Sequence, residues 1–448
     1  MTPVANIEEK TAELEDRFRA ANPASAAYFE KGREAMAGPA KGAFYYPPFP
    51  LVMERGEDCY LYDVEGRRYV DCANHHTTLI LGHNHPAVVK AIADQLSRGV
   101  VLGAPAGVEA EACIELCSRV ASLDRVRYCN SGTEATLHAI RLARGFSGRG
   151  KIAKFEGGYH GSHDAVEISV APPLDKAGPA DAPNSVPTAG GMSPYAGQDV
   201  VMLPYDNEAA VEKILTANRD DLACVIFDPK AGTMAQRPEF VRFVRGVTRK
   251  LDLLLIFDEI VGFRVGRGGL QEYYGIDPDL TTYGKVVGGG MPAGAFGGRA
   301  DIMDLFDPTK EPPGFFQSGS FSASPLVMVA GLATMQQLTP EAFDHLNGLG
   351  ERLKEGLDRV FANAGVGGQA LVLGSLFSIF FADEMPYTYR AMAAADKTLA
   401  HPLFHSLLDQ GYFLGQTLGM CCLSTAMEED HVDGLVDAFA NGLRYLTD

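Results

Sequence analysis

Apolar and polar positions along this chain change rhythm several times. Over residues 7–37, apolar and small residues recur among charges from Ile7 through Leu14, Phe18 and Ala21, which predicts a helical arm interrupted at Asn22-Pro23. Residues 50–72, PLVMERGEDCYLYDVEGRRYVDC, alternate about Glu65-Gly66 and predict a strand hairpin with a tight turn. From about 75 to 330 short apolar runs recur at 126–130, 223–227, 253–257 and 280–285, with amphipathic helical stretches such as 134–146 and 239–251 between them. Apolar strands alternating with amphipathic helices predict an α/β domain whose mostly parallel sheet is covered on both faces. Ligands of such sheets sit at the carboxyl ends of the strands. Beyond 330 the pattern becomes helix (326–362), strands near 370–382 and 420–425, and a final helix (428–446), a small α+β domain. The expected division is an arm and hairpin over 1–74 that join the small domain, a large domain over 75–330, and a small domain over 331–448.

One segment breaks the alternation. Residues 171–197 hold six Pro and four Gly, too many for a helix or a central strand. Two readings stand for it, a plain surface excursion or a mobile cover over a site.

Composition narrows the partners. At 448 residues the chain can bury a core without disulfide or metal staples. Its formal net charge of −18 argues against nucleic acid, whose phosphates are bound through Lys and Arg. No run of about 20 apolar residues predicts a membrane span, and the amino-terminal segment lacks the order of a signal peptide. Eight Cys at irregular spacing, several in apolar runs such as Cys224 and Cys421-Cys422, read as reduced core thiols of a cytoplasmic protein.

Four places carry candidate chemistry. Asn130-Ser131-Gly132-Thr133-Glu134 lies between an apolar strand and a helix. Its helix-start amides and two hydroxyls suit a phosphate, although Ser-Gly-Thr also serves as a plain N-cap. Asp258 closes the run LLLIF, where a buried carboxylate needs a cation: a protonated pyridine nitrogen, or a structural pair with Arg264 or Arg267. Ile260, two residues on, can pack on a ring. Lys285 ends LTTYGK ahead of a Gly-rich stretch, where poor hydration favours a neutral, nucleophilic amine; a lone lysine is otherwise a solvated surface group. Gly158-Tyr159-His160-Gly161 offers an aromatic face for stacking. No metal is expected, because His160, His163 and Asp164 have no further cluster at ligand spacing, and His75, His76, His83 and His85 read as turn and packing residues.

In this order the four places resemble the fold-type I pyridoxal phosphate (PLP) enzymes. More specifically, they resemble the class III aminotransferases, near the glutamate-1-semialdehyde aminomutase branch and its β-amino-acid neighbours. NSGTEA, GGYHG, FDEIVGFR, GKVVGGGMPAGAFGGR and QSGSFSASP carry the likeness, which runs from about residue 50 to the carboxyl end. The resemblance implies a large domain with a mostly parallel sheet of the seven-stranded type, and pyridoxal 5'-phosphate as cofactor. It implies that Lys285 holds the cofactor covalently, that Asp258 pairs with the ring nitrogen, and that Tyr159 and Ile260 sandwich the ring with His160 beside it. Gly132, Thr133 and Ser131 would hold the phosphate. Ser320, where the family usually has Thr, would reach the phosphate of a second subunit, so a homodimer with shared active sites is implied. The 171–197 segment matches the position of the aminomutase gating loop.

Three positions depart from the family pattern. Asp228-Pro229-Lys230-Ala231-Gly232-Thr233 replaces Glu-Pro-x-x-Gly-Asn, so the hydrogen bond to the ring hydroxyl comes from Thr233 or is absent. Lys41 stands near a carboxylate-binding Arg of β-amino-acid relatives and is the expected substrate contact, and Leu418 replaces a second Arg. A point charge is not a planar fork. An amine, an amino aldehyde or an unusual β-amino acid thus becomes as suitable a substrate as an ordinary amino acid. The expected activity is PLP-dependent transfer of an amino group from an amine donor to a carbonyl acceptor by a ping-pong mechanism. An intramolecular aminomutase is the alternative, and a non-catalytic binding protein and a Rossmann oxidoreductase are more distant rivals, the latter lacking its G-x-G-x-x-G fingerprint.

Overall fold

The apolar runs between residues 125 and 298 pair into one seven-stranded sheet. Its strands are β1 (Arg125–Cys129), β2 (Lys151–Phe155), β3 (Val200–Leu203), β4 (Leu222–Phe227), β5 (Leu254–Asp258), β6 (Leu280–Gly284) and β7 (Gly294–Gly298). They lie in the order β1-β7-β6-β5-β4-β2-β3. The pairs β2/β3, β2/β4, β4/β5 and β5/β6 are parallel, whereas β7 runs antiparallel to both β1 and β6. Every residue of β4, β5, β6 and β7 is buried, which is why β4 and β5 read as continuous rather than alternating apolar runs. The computed structural model describes residues 6–39, 45–229, 233–309 and 314–448.

β7, with the sequence GAFGG, shows what its glycines do. A Cβ on Gly294 would lie 2.0 Å from the carbonyl oxygen of Ser131, so only glycine lets this strand slot in beside the end of β1. Further along, a Cβ on Gly289 would meet the Ala330 carbonyl oxygen at 2.2 Å. At these two positions the Gly-rich stretch after Lys285 accommodates neighbouring protein backbone.

Helix Gly132–Ser147 follows β1 at once. Ser131 caps it by accepting from the amide of Glu134 at 3.1 Å, and Gly148 closes it in the left-handed conformation, φ 70°. Ala135, Ala139, Ile140, Leu142 and Ala143 on one of its faces are buried with Ile226, Leu254, Ile256, Leu280 and Phe296 of the sheet. The small residues at i, i+4 and i+8 let the helix lie close to the strands. Because Cys129 and Gly284 both pair with Gly294, the carboxyl ends of β1 and β6 stand level, two strand spacings or roughly 10 Å apart. β5 ends beside β6, Asp258 pairing with Thr282.

The chain divides into two units. The sheet belongs to Pro86–Phe343 together with Tyr387–Ala393, and the remainder, Met1–His85, Asp344–Pro386 and Ala394–Asp448, forms the other. In that second unit strands Met53–Glu57, Tyr60–Asp63 and Arg68–Asp71 form an antiparallel meander turning at Gly66, φ 82°, with Tyr412–Phe413 added in parallel. Strands Gln369–Leu373, Leu376–Phe380 and Cys421–Cys422 make a further sheet. The arm is two helices, Ile7–Ala21 and Pro23–Gly32, broken where Asn22-Pro23 predicts. The helix expected over 326–362 is instead two, Pro325–Gln337 and Pro340–Ala364, because Pro340 has no amide to continue the first ladder and starts a new helix. All eight cysteines are free thiols. Among the described residues no helix is long and apolar enough to cross a membrane.

Candidate active site

Parallel strands deliver their last residues to one edge of the sheet, and four chain segments meet there. Ile260 sits at their junction. A Cβ on Gly132 would lie 2.6 Å from Ile260 Cδ1, and one on Gly284 would lie 3.3 Å from Ile260 Cγ2 and 3.5 Å from the Cα of Gly132. The start of helix Gly132–Ser147, the second residue after β5 and the end of β6 are therefore in van der Waals contact. Two glycines let Ile260 pack closely here. Thr133 joins the fourth segment: its Oγ1 accepts from the amide of Ser162 at 3.3 Å, and a Cβ on Gly161 would meet it at 2.7 Å.

Asp258 is 4% exposed. Its Oδ2 lies 2.7 Å from Nδ1 of the buried His160, and its Oδ1 accepts the amide of Ile260 at 3.1 Å. Of the two partners weighed for a structural ion pair, neither Arg264 nor Arg267 holds this carboxylate. Thr136 Oγ1 donates to the His160 carbonyl at 2.6 Å, fastening the Tyr159-His160 turn to the helix. Nε2 of His160 is buried without a hydrogen-bond partner. His163 lies 3.3 Å from Thr136 Oγ1, and burial, helped by nearby His160, pushes its pKa down to about 4, so it is neutral at physiological pH.

Lys285 directly follows β6 and begins a short turn, Lys285–Gly288. Its φ of 51° is left-handed, a conformation that costs a non-glycine residue on the order of 1 kcal/mol and is concentrated at functional positions. At the helix start the first amides have no partner within the helix. The Ser131 hydroxyl accepts from the Glu134 amide and so keeps its own proton to donate. Tyr159 is 52% exposed, with its hydroxyl 3.3 Å from Ser162 Oγ.

The remaining expected residues lie elsewhere. Ser320 is in the segment 317–324, which with Val101–Ala106 and Arg125–Tyr128 lines a cavity of about 690 Å³. Arg127 holds that segment through the Gln317 carbonyl at 3.0 Å. Thr233 is half-buried at the edge of the described chain, and Lys41 lies outside the described residues. Leu418 is fully buried in the second unit, with its amide and carbonyl both bonded to backbone.

Two acidic residues lie within the motifs read from sequence but have no role assigned there. Glu134 accepts the amide of Asn130 at 2.7 Å and so fixes the turn between β1 and the helix; its position three residues after the Ser131 cap is the available signal. Glu259, fully buried beside Asp258, accepts the amides of Leu270 at 3.0 Å and Gln271 at 2.8 Å. Burial pushes its pKa up to about 7. A second carboxylate at a strand end could have flagged it, but its partners are backbone amides that leave no mark in sequence. Among the described residues no group of three or more His, Cys, Asp or Glu is placed to hold a metal ion.

The arrangement combines an anion-accepting helix start, a lysine at a strained strand end and a buried carboxylate around the contact of Gly132 and Gly284 with Ile260. That set fits a flat, phosphorylated aldehyde with a basic ring nitrogen. A family profile described as aminotransferase class-III matches residues 42–441. Among curated proteins, glutamate-1-semialdehyde 2,1-aminomutase of Rhodopirellula baltica is 36% identical over 429 residues, 93% of this chain and 94% of that protein. Among solved structures, an omega-transaminase from Sphaerobacter thermophilus superposes with a TM-score of 0.91 at 38% identity, covering 95% of this chain and 98% of that one. A β-phenylalanine aminotransferase from Variovorax paradoxus has a TM-score of 0.88 at 32% identity, covering 97% of each chain.

Proposed function

We propose that this chain, which belongs to the class-III aminotransferase family, moves an amino group from an amine or amino acid, including β-amino acids, to a keto or aldehyde acceptor in two half-reactions. The enzyme is a PLP-dependent fold-type I transferase. The observation that supports the site assignment is the contact of Gly132, Ile260 and Gly284 beside buried Asp258, with Lys285 next in the chain after Gly284.

When bound, PLP supplies an aldehyde to carry the amine and a ring that accepts electrons from the substrate carbon. Lys285 would bond the aldehyde and, once displaced by the donor, use its free amine to take the proton from the substrate carbon. Asp258, oriented by His160, would keep a proton on the ring nitrogen, as an anion in a poorly hydrated place must meet a cation. The amides of Gly132 and Thr133 and the Ser131 hydroxyl would hold the phosphate, with Tyr159 and Ile260 on the two ring faces. Thr233 is the group available to the ring hydroxyl. Ser320 would complete a second subunit's site: its segment carries Phe321, 63% exposed, follows Phe316, 85% exposed, and adjoins exposed Val101 and Leu102. Such surface is what a homodimer buries. Lys41 would be the substrate-carboxylate contact.

A panel of single donors tests the reading. With one accepted amine and no acceptor, the bound cofactor should pass to its pyridoxamine form with one equivalent of carbonyl product; if no amine, α-amino acid or β-amino acid does this, the reading fails. The similarity to curated aminomutases favours a second reading, in which the amine returns to a neighbouring carbon of the same substrate. Glutamate 1-semialdehyde given alone should then yield 5-aminolevulinate, and no product without a second substrate rejects it.

A further inference from the structure

Seven residues remote in sequence, Tyr387–Ala393, belong to the sheet-bearing unit although the chain on both sides of them does not. Gln236 Nε2 donates to the Tyr387 carbonyl at 3.0 Å, and the Arg237 guanidinium lies 5.1 Å from the centre of the Tyr387 ring. Tyr389 donates its hydroxyl to the Pro172 carbonyl at 2.9 Å. Its side chain fills the space where a Cβ on Gly157 would stand, 2.7 Å from the Tyr389 Cβ.

The contacts concentrate on Arg390. Nε and Nη2 grip the two carboxylate oxygens of Glu156, each at 3.0 Å. Nη1 donates to the Gly178 carbonyl at 2.8 Å, and Nη2 also to those of Ala177 at 3.0 Å and Pro179 at 3.2 Å. One planar fork thus joins a buried carboxylate to three successive carbonyls of the Pro- and Gly-rich excursion. A lysine, with a single point of charge, has no equivalent geometry.

Glu156 opens the turn that carries Tyr159 and His160. Lys154, fully buried two residues before it, donates from Nζ to the Gly158 carbonyl at 2.9 Å and to that of Ile168, and the Gly157 amide donates to Ser169 at 2.8 Å. The excursion closes on itself through Asn184, whose amide donates to the Ala177 carbonyl at 2.9 Å. Arg390 is thus the side chain that ties residues 177–179 of the excursion directly to the start of the turn carrying His160, the partner of Asp258.

We infer that Arg390 is a positioning residue of the amino-transfer reaction: by tying residues 177–179 to Glu156 it sets the orientation of Tyr159 and His160 toward the cofactor. The inference rests on the reading that those two residues face PLP. The holoenzyme carrying Arg390→Ala tests it. Loss of PLP should be faster by about tenfold or more, in line with removal of a group that orients ligand-contacting residues. The absorption band of the bound cofactor should titrate at a different pH, kcat should fall more than KM changes, and trypsin should cut faster after Lys176. Methylguanidinium should restore the band and the protection, since it refills the acceptor pocket.

Unchanged cofactor retention, titration and turnover in Arg390→Ala would overturn the inference, as would a folded variant that methylguanidinium does not restore. Should that variant fail to fold, Arg390→Lys and Glu156→Gln carry the test: smaller shifts of the same kind are expected, and wild-type behaviour in both overturns the proposal. Wild-type protein that binds no PLP would instead defeat the family-based reading, leaving the tryptic cut after Lys176 to judge the tie alone.

Discussion

The two walls of the candidate site are built by different means. On one side, Asp258 and Lys285 stand at the ends of β5 and β6, strands buried along their whole length and locked in register with their neighbours. On the other, the turn at 156–161 and the excursion after it have no such ladder. Scattered backbone bonds, such as those joining Ser169 to Val186 and Thr188 to Glu167, are supplemented there by a few side chains: Lys154 on two carbonyls, Tyr389 on Pro172, Arg390 on Glu156 and three carbonyls. A wall fixed by sheet register tolerates the loss of any one surface contact. A wall fixed by single side chains does not, and that is where reactivity can be tuned without altering the fold.

The sharpest break in the comparison comes from residues that the sheet presents but that do not hold it together. Lys285→Ala should keep the fold and its melting temperature near wild type while lowering transamination by about 10⁴-fold or more, since both a nucleophile and a base are lost. Borohydride treatment of wild type should fix one pyridoxyl group on Lys285, and mass spectrometry that finds the label on another lysine would refute the assignment. Asp258→Asn should lower turnover by about 10²–10³-fold, the scale of removing one preorganised electrostatic contact. A smaller defect in His160→Ala would agree with its role as a partner of the carboxylate.

This division also governs what could be read before the fold was known. Runs such as LLLIF and LTTYG announce buried strands because burial on both faces demands uninterrupted apolar residues, and a charge at the end of such a run stands out. Asp258 and Lys285 were legible for that reason. Arg390 was not: it is one arginine among Tyr, Met and Ala residues, 234 residues from its Glu156 partner, and backbone carbonyls at 177–179 have no sequence signature. β7 was missed too, because GAFGG lacks the apolar volume of a strand; its glycines serve contact with Ser131 that only the folded sheet creates. The excursion was visible from its prolines, but whether it was tethered depended on that distant strap.

The contact between Gly132 and Ile260 offers a finer test. A Cβ on Gly132 would press within 2.6 Å of Ile260 Cδ1, and removing that methyl leaves the next contacts at 3.3 Å. Gly132→Ala should destabilise the protein by about 1–3 kcal/mol, the usual cost of overpacking, and weaken PLP retention. Adding Ile260→Val, which deletes only Cδ1, should recover part of that loss, so the double variant should be more stable than the two single effects predict. Additive losses in urea unfolding would mean that the two residues are not in the contact described.

The remaining expected effect is on stability against pH, and it probes the side-chain wall. His163 is held neutral, its pKa pushed from 6.5 down to about 4 by burial and by His160. The unfolded chain therefore binds a proton at this residue that the folded chain refuses between those values. The stabilisation is complete above pH 6.5 and is lost progressively as pH falls toward 4. His163→Gln keeps a polar side chain without the titration, so its melting temperature should fall less steeply than that of wild type across this window. Parallel curves for the two proteins would show that the turn bearing Tyr159 and His160 is not sealed against protonation. The side-chain wall would then be looser at the helix contact through Thr136 than its hydrogen bonds imply.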